Sequence, residues 1–110
     1  MSLRIEVENS TFNVHRKEFN VNVEISQKDS HTFDRPIRER SQKYLEEIGL
    51  IGRKIVEYVL SIEGVESVVI KPYSIDVVKG KAFDWESDEI ENRVLDILRH
   101  WTAPEHGLTA

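Results

Sequence analysis

The chain has 110 residues and no cysteine, which excludes disulfides, thiolate nucleophiles, zinc ribbons and any cluster held by its own thiolates. Its 15 Lys and Arg against 20 Asp and Glu give a net charge of -5, which disfavours a role in binding nucleic acid. The length predicts one domain over residues 1–101, with residues 102–110 as a flexible tail. Because there is no signal-peptide pattern and no run of about eighteen apolar residues, we expect a cytoplasmic protein without membrane association.

Alternation of apolar and polar residues predicts two strands in the first quarter of the chain. Residues 3–7 and residues 19–25 both follow this pattern, and Asn9, Ser10, Thr11 and Asn13 supply turn chemistry between them. Residues 26–34 are polar and predict a loop.

Apolar residues at three- and four-residue spacing from Tyr44 to Ile62 predict the main helix. We expect Asp34 to cap it, Pro36 to lie in its first turn and Gly64 to end it as a C-terminal cap. Glycine disfavours helix interiors, so a break near Gly49 is expected to divide this helix in two.

The β-branched runs at residues 68–70 and 75–78 predict a hairpin, with Pro72 in its turn. A last helix is predicted to begin near Asp84, with an apolar stripe from Ile90 to Trp101. We interpret the acidic residues from position 84 to 91 as favourable charge at the N-terminus of this helix. Trp85 is expected to pack the start of the helix onto the sheet.

This order of elements, β-β-α-β-β-α, predicts an α+β two-layer sandwich. The sheet is expected to have four strands, mostly antiparallel, with two main helices on one face. The other face is interpreted as solvated because Asn20, Asn22, Glu24 and Asp76 point outward on this pattern.

The sequence contains none of the common catalytic or phosphate-binding motifs. The four histidines have no zinc-site spacing, and the carboxylates lie on polar faces rather than in predicted apolar pockets. We therefore predict no catalytic, metal-binding or cofactor-binding residues, and expect that the protein is not an enzyme.

Two polar segments are candidate partner-binding sites. The basic segment before and within the first predicted helix is either a solvated helix face or a docking surface for an acidic protein. The loop after the first strand either shapes a turn or contacts a partner. The candidate residues in these two segments are Thr11, Asn13, His15, Arg35, Arg38 and Arg40.

Residues 62–86, IEGVESVVIKPYSIDVVKGKAFDWE, resemble the N-terminal domain of Nfu/NifU-type iron-sulfur scaffold proteins. The likeness lies in a helix that ends in Ile-x-Gly-Val, a strand, a short turn, an Ile-x-Val strand ending in Lys, and Asp-Trp-Glu. Upstream, the segment Thr-Phe-Asn-Val at residues 11–14 stands where that family often has Thr-Pro-Asn-Pro. Both prolines are absent here, Ser74 replaces a usual Phe, and Asp76 replaces a usual Thr.

The resemblance implies a role in iron-sulfur cluster assembly. The family carries its cluster on a CxxC in a separate C-terminal domain, which is absent from this cysteine-free sequence. The resemblance therefore implies an interaction domain whose partner is an iron-sulfur carrier or a client apoprotein, and a homodimer is also open. A small-molecule-binding regulatory domain and a structural homodimer are the alternative functions.

Overall fold

The computed structural model describes residues 3–103, which form five strands and three helices. Along the chain these elements are β1 Ile5–Asn9, β2 Arg16–Val21, β3 His31–Asp34, α1 Glu39–Glu47, α2 Leu50–Leu60, β4 Val65–Lys71, β5 Ser74–Lys79 and α3 Ile90–Trp101. The fold is α+β as predicted, but the sheet has one strand more than expected, and the first of the two predicted main helices is divided into α1 and α2.

All five strands pair antiparallel in the order β1-β2-β5-β4-β3. Phe19, Ile75 and Ile70 lie side by side on β2, β5 and β4, and all three are fully buried. The apolar sides of the three helices close over this face and complete one hydrophobic core. The predicted hairpin of β4 and β5 is confirmed.

The strand that was not predicted, β3, lies in the stretch that was predicted to be a loop. Phe33 is its one buried side chain, and it pairs with Val68 at the edge of the sheet. Asp34 therefore ends a strand and does not cap a helix. The helix α1 begins at Glu39, so Pro36 precedes it rather than lying in its first turn.

The predicted break near Gly49 is confirmed, since α1 and α2 meet there and Gly49 has a φ of 94°. Such a backbone angle favours glycine. Gly64 does not cap α2, because that helix ends at Leu60 with Ser61 as its C-cap. Instead Gly64 has a φ of 98° in the turn that leads into β4.

The last helix begins at Ile90, six residues after the predicted start at Asp84. Its apolar stripe is confirmed, with Ile90, Val94 and Leu98 fully buried. Residues 84–88 instead form turns, because the Asp84 carboxylate accepts hydrogen bonds from the backbone N–H groups of Glu86 and Ser87. Most of the acidic run thus lies before the helix, and Glu91 is the acidic residue of its first turn.

Within residues 3–103, no helix is long and apolar enough to cross a membrane. The predicted tail at residues 102–110 lies mostly outside the described residues. Thr102 is buried, and its hydroxyl donates a hydrogen bond to the Leu98 carbonyl at 2.6 Å.

Candidate functional site

The loop between β1 and β2, residues 10–15, is held in one shape by its own hydrogen bonds. The Asn13 N–H donates to the Ser10 hydroxyl at 3.1 Å, and the His15 N–H donates to the Asn13 side-chain oxygen at 2.9 Å. The Arg16 N–H donates to the Asn13 carbonyl at 3.1 Å. These are Asx- and Ser-type turn contacts, so the turn chemistry predicted for this loop is confirmed.

Two residues from distant parts of the chain tie this loop to the body of the protein. The Trp85 indole N–H donates to the Val14 carbonyl at 3.0 Å. The Lys79 backbone N–H donates to the His15 carbonyl at 2.8 Å, and the Lys79 Nζ lies 3.0 Å from the His15 Nδ1. Because Lys79 and Trp85 are themselves buried, the base of the loop is anchored to the core.

The tip of the loop carries two apolar side chains that the protein does not bury. Phe12 is 99% exposed and Val14 is 75% exposed. An aromatic side chain usually buries most of its surface, whereas Phe12 buries almost none of its own. Neither residue was among the predicted site residues. One feature of the sequence could have indicated them: Phe12 and Val14 are apolar residues within a turn-forming segment and belong to no strand pattern.

A groove of about 480 Å³ runs between this loop and the connection from β5 to α3, residues 80–89. We call it the loop groove. It is lined by Asn9, Ser10, Val14, Arg16, Lys17, Asp84, Trp85 and Glu86. The two cations of the groove are paired, since Arg16 binds Asp76 and Lys17 binds Glu91. No ion pair found within residues 3–103 includes either acidic residue of its lining.

One acidic residue of the loop groove, Asp84, is held in its charged form by hydrogen bonds. Hydrogen bonds lower the pKa of Asp84, first the one from the Ser87 backbone N–H, then one from the Ser87 side chain and one from the Glu86 N–H. A carboxylate that accepts backbone N–H groups is favoured in its charged form. The groove therefore presents negative charge beside an apolar loop tip.

The predicted site residues fall into two separate groups. Thr11, Asn13 and His15 lie in the β1–β2 loop, whereas the three arginines follow β3 at the same end of the sheet. The N–H of Arg35 donates to the Glu66 carbonyl at 2.9 Å, and its guanidinium donates to the Ile62 carbonyl at 3.2 Å. Since β5 and β4 stand between β2 and β3, the groups are three strand spacings apart, about 14 Å.

Two of the arginines project from the start of α1. Arg38 is its N-cap residue and Arg40 lies in its first turn, and both are exposed. Arg35 instead lines a separate cavity of about 360 Å³ together with Glu63 and Glu66. The basic segment is thus a surface of its own, and its role in docking stays a prediction.

The sheet face opposite the helices is less solvated at its centre than predicted. Asp76 is only 3% exposed, because Arg16 and Lys71 lie against its Oδ2 from the neighbouring strands. Its Oδ1 is buried and has no hydrogen-bond partner. Within residues 3–103, no three His, Asp or Glu side chains are placed to hold a metal ion together.

No family model matches the sequence, and no curated protein sequence matches it. The fold, however, is similar to solved structures. The solution structure of a NifU-like protein from Saccharomyces cerevisiae matches 96% of this chain and 82% of its own, with 15% identity and a TM-score of 0.67. The crystal structure of protein SAV1430 from Staphylococcus aureus matches 89% of this chain and 99% of its own, with 18% identity and a TM-score of 0.56. The chain therefore has a NifU-like fold.

Proposed function

We propose that this chain is a non-enzymatic docking domain linked to iron-sulfur cluster assembly. In this proposal the β1–β2 loop contacts a cluster carrier or a client apoprotein. The observation that carries the docking role is the full exposure of Phe12 on a loop whose base is tied to the core by Lys79 and Trp85.

The energetics of this loop favour binding. Burying a Phe side chain stabilises a complex by about 1.5–3 kcal/mol, and aromatic residues are enriched among those that dominate interfaces. The hydrogen bonds around Asn13 have already ordered the backbone, so association loses less conformational entropy than it would with a flexible loop. An exposed aromatic on an ordered loop is thus suited to insert into a partner's pocket.

Two findings support the link to iron-sulfur assembly. The sequence of residues 62–86 resembles the Nfu/NifU N-terminal domain, and a solved NifU-like protein has a similar fold. The chain has no cysteine, so a partner would have to supply the thiolates that hold a cluster. A docking domain that brings such a carrier to a client fits both facts.

The test is the binding of the full chain to a purified Nfu-type carrier with its CxxC, in apo and cluster-loaded form, and to a client apoprotein. Calorimetry would compare wild type with Phe12→Ala and with the control Tyr73→Ala, which removes another exposed aromatic at the opposite end of the sheet. We expect Phe12→Ala to weaken binding about 10- to 100-fold, and Tyr73→Ala to change it less than about twofold. Unfolding of Phe12→Ala should match wild type within about 0.5 kcal/mol.

Two results would contradict the proposal. One is the absence of binding to either carrier form and to the client, and the other is an equal loss in the two aromatic variants. Anaerobic addition of iron and sulfide gives a further check, because stable cluster absorbance on this chain alone would mean that it ligates a cluster without a partner.

A further inference from the structure

We infer that the loop groove receives a segment of the partner protein in which basic side chains stand beside apolar ones. This inference rests on the proposed function, since it takes the β1–β2 loop as the place where the partner docks. It adds the chemistry of the partner, which the exposed loop tip alone does not specify.

The apolar part of the groove comes from Val14 and Trp85. Val14 is mostly exposed, while the indole of Trp85 forms the inner wall and is 7% exposed. A volume of about 480 Å³ lies within the usual range of about 300–1,000 Å³ for binding sites. An apolar side chain in the groove would contact Val14 and the exposed edge of the Trp85 ring, over which the Lys17 Nζ lies 5.2 Å from the centroid.

The charged part of the groove selects cations. Arg16 and Lys17 are neutralised by Asp76 and Glu91, so they do not offset Asp84 and Glu86. The ammonium of Lys79 is buried outside the groove lining, and its charge favours the ionised form of Asp84. Asp84 and Glu86 are the two exposed carboxylates of the lining, whereas Asp88 and Glu89 line a neighbouring cavity with Arg93.

This charge also decides between classes of partner. A phosphate backbone or an anionic lipid surface would meet like charge at the acidic wall, whereas Lys or Arg side chains of a protein would find exposed carboxylates. The exposed arginines of this end of the sheet follow β3 or lie at the start of α1, and none of the three lines the groove. A basic and apolar protein segment fits both walls.

The experiment uses the full chain and three short labelled peptides, with binding followed by fluorescence anisotropy at low ionic strength. One peptide alternates Leu and Lys, one Leu and Glu, and one Ser and Lys. We expect measurable binding of the Leu/Lys peptide alone, with shifts of the Val14 amide and the Trp85 indole N–H in NMR spectra. Binding should weaken as salt is added.

Glu86→Lys tests the acidic wall, because the side chain of Glu86 is exposed and its backbone hydrogen bond to Asp84 survives the change. Glu46→Lys is the matched control, an exposed acid near the end of α1 outside the groove lining. We expect Glu86→Lys to weaken binding of the Leu/Lys peptide by about fivefold or more and Glu46→Lys by less than about twofold.

Equal binding of the Leu/Glu or the Ser/Lys peptide would overturn the inference, as would equal effects of the two charge reversals. If the Leu/Lys peptide binds as expected but no carrier or client does, the groove inference stands and the iron-sulfur role falls. If carriers bind through Phe12 and no peptide binds the groove, the inference falls and the docking function stands.

Discussion

Replacing Trp85 by Phe should loosen the β1–β2 loop without unfolding the protein. The variant loses the 3.0 Å hydrogen bond from the indole N–H to the Val14 carbonyl, worth about 0.5–1.5 kcal/mol. It also loses part of a ring that is 7% exposed, and the smaller ring leaves a gap that costs about 1–2 kcal/mol. We expect the free energy of unfolding to fall by about 1.5–3.5 kcal/mol in total.

Two measurements separate the effect on the loop from the effect on stability. Urea unfolding gives the loss in free energy, and amide hydrogen exchange reports local opening of the loop. In Trp85→Phe, the amides of His15 and Arg16 should exchange faster than global destabilisation alone requires. Their acceptors belong to Asn13, so faster exchange would show that the turn has lost its support.

Trp101→Phe is the matched control. Trp101 is the last residue of α3, about 16 Å along the helix from its start at Ile90. Its ring packs against Tyr58 of α2, with the two ring centroids 5.6 Å apart. The control should lower stability without a selective effect on residues 10–15. If both variants change the exchange of the loop amides to the same extent, Trp85 does not hold the loop and this reasoning is wrong.

Three further substitutions test residues in or beside the connection that forms the acidic wall. Gly64→Ala should destabilise by about 2–4 kcal/mol in urea unfolding, because φ is 98° and a Cβ would lie 2.7 Å from the Phe83 ring. Gly80→Ala is the control, because its Cβ would lie 3.2 Å from the flexible end of Glu66, and it should cost less than about 1 kcal/mol. Equal losses of stability in the two variants would refute the idea that an alanine at position 64 is strained. The pKa of Asp84 in the folded protein is below its ordinary value of 3.8. The contribution of its ionised carboxylate to the free energy of unfolding is therefore present above pH 3.8 and is lost as the pH falls through the folded pKa. Asp84→Asn should therefore lose less stability than wild type as the pH falls, and curves that stay parallel from above pH 3.8 down through the folded pKa would contradict this.

Much of the fold follows from periodicity, and the missed elements show where periodicity fails. The stripe of α3 and the hairpin of β4 and β5 repeat their pattern often enough to be recognised. The strand β3 has four residues and one buried side chain, Phe33, so it offers no repeat to detect. Its pairing with β4 depends on the neighbouring strand rather than on its own sequence.

The start of α3 was predicted too early because acidic residues are common both at the N-terminus of a helix and in turns. Acidic residues favour a helix N-terminus, but Asp also accepts hydrogen bonds in turns. Here the carboxylates of Asp84 and Asp88 both close turns before the helix begins. Local composition does not decide between the two, since the position of Ile90 on the core sets the first helical residue.

The candidate site was predictable only in part. The polar residues of the β1–β2 loop, such as Asn13, were predicted either to shape a turn or to contact a partner. Phe12 was not among the predicted site residues. Its exposure depends on where the loop lies relative to Lys79 and Trp85, and these contacts join residues 64 to 71 positions apart in the chain. Sequence patterns do not report such distant contacts.

The sheet order places the N-terminal hairpin beside the last strand, and this has a consequence for the folding of the chain. Because β2 pairs with β5, the contacts that anchor residues 10–15 to the core form only after Lys79 and Trp85 have been synthesised. Pairings of such long sequence separation form late and slowly. An unfinished chain would therefore not display Phe12 on a loop anchored to the core. A partner that binds this loop would therefore bind fully synthesised, folded molecules in preference to nascent ones.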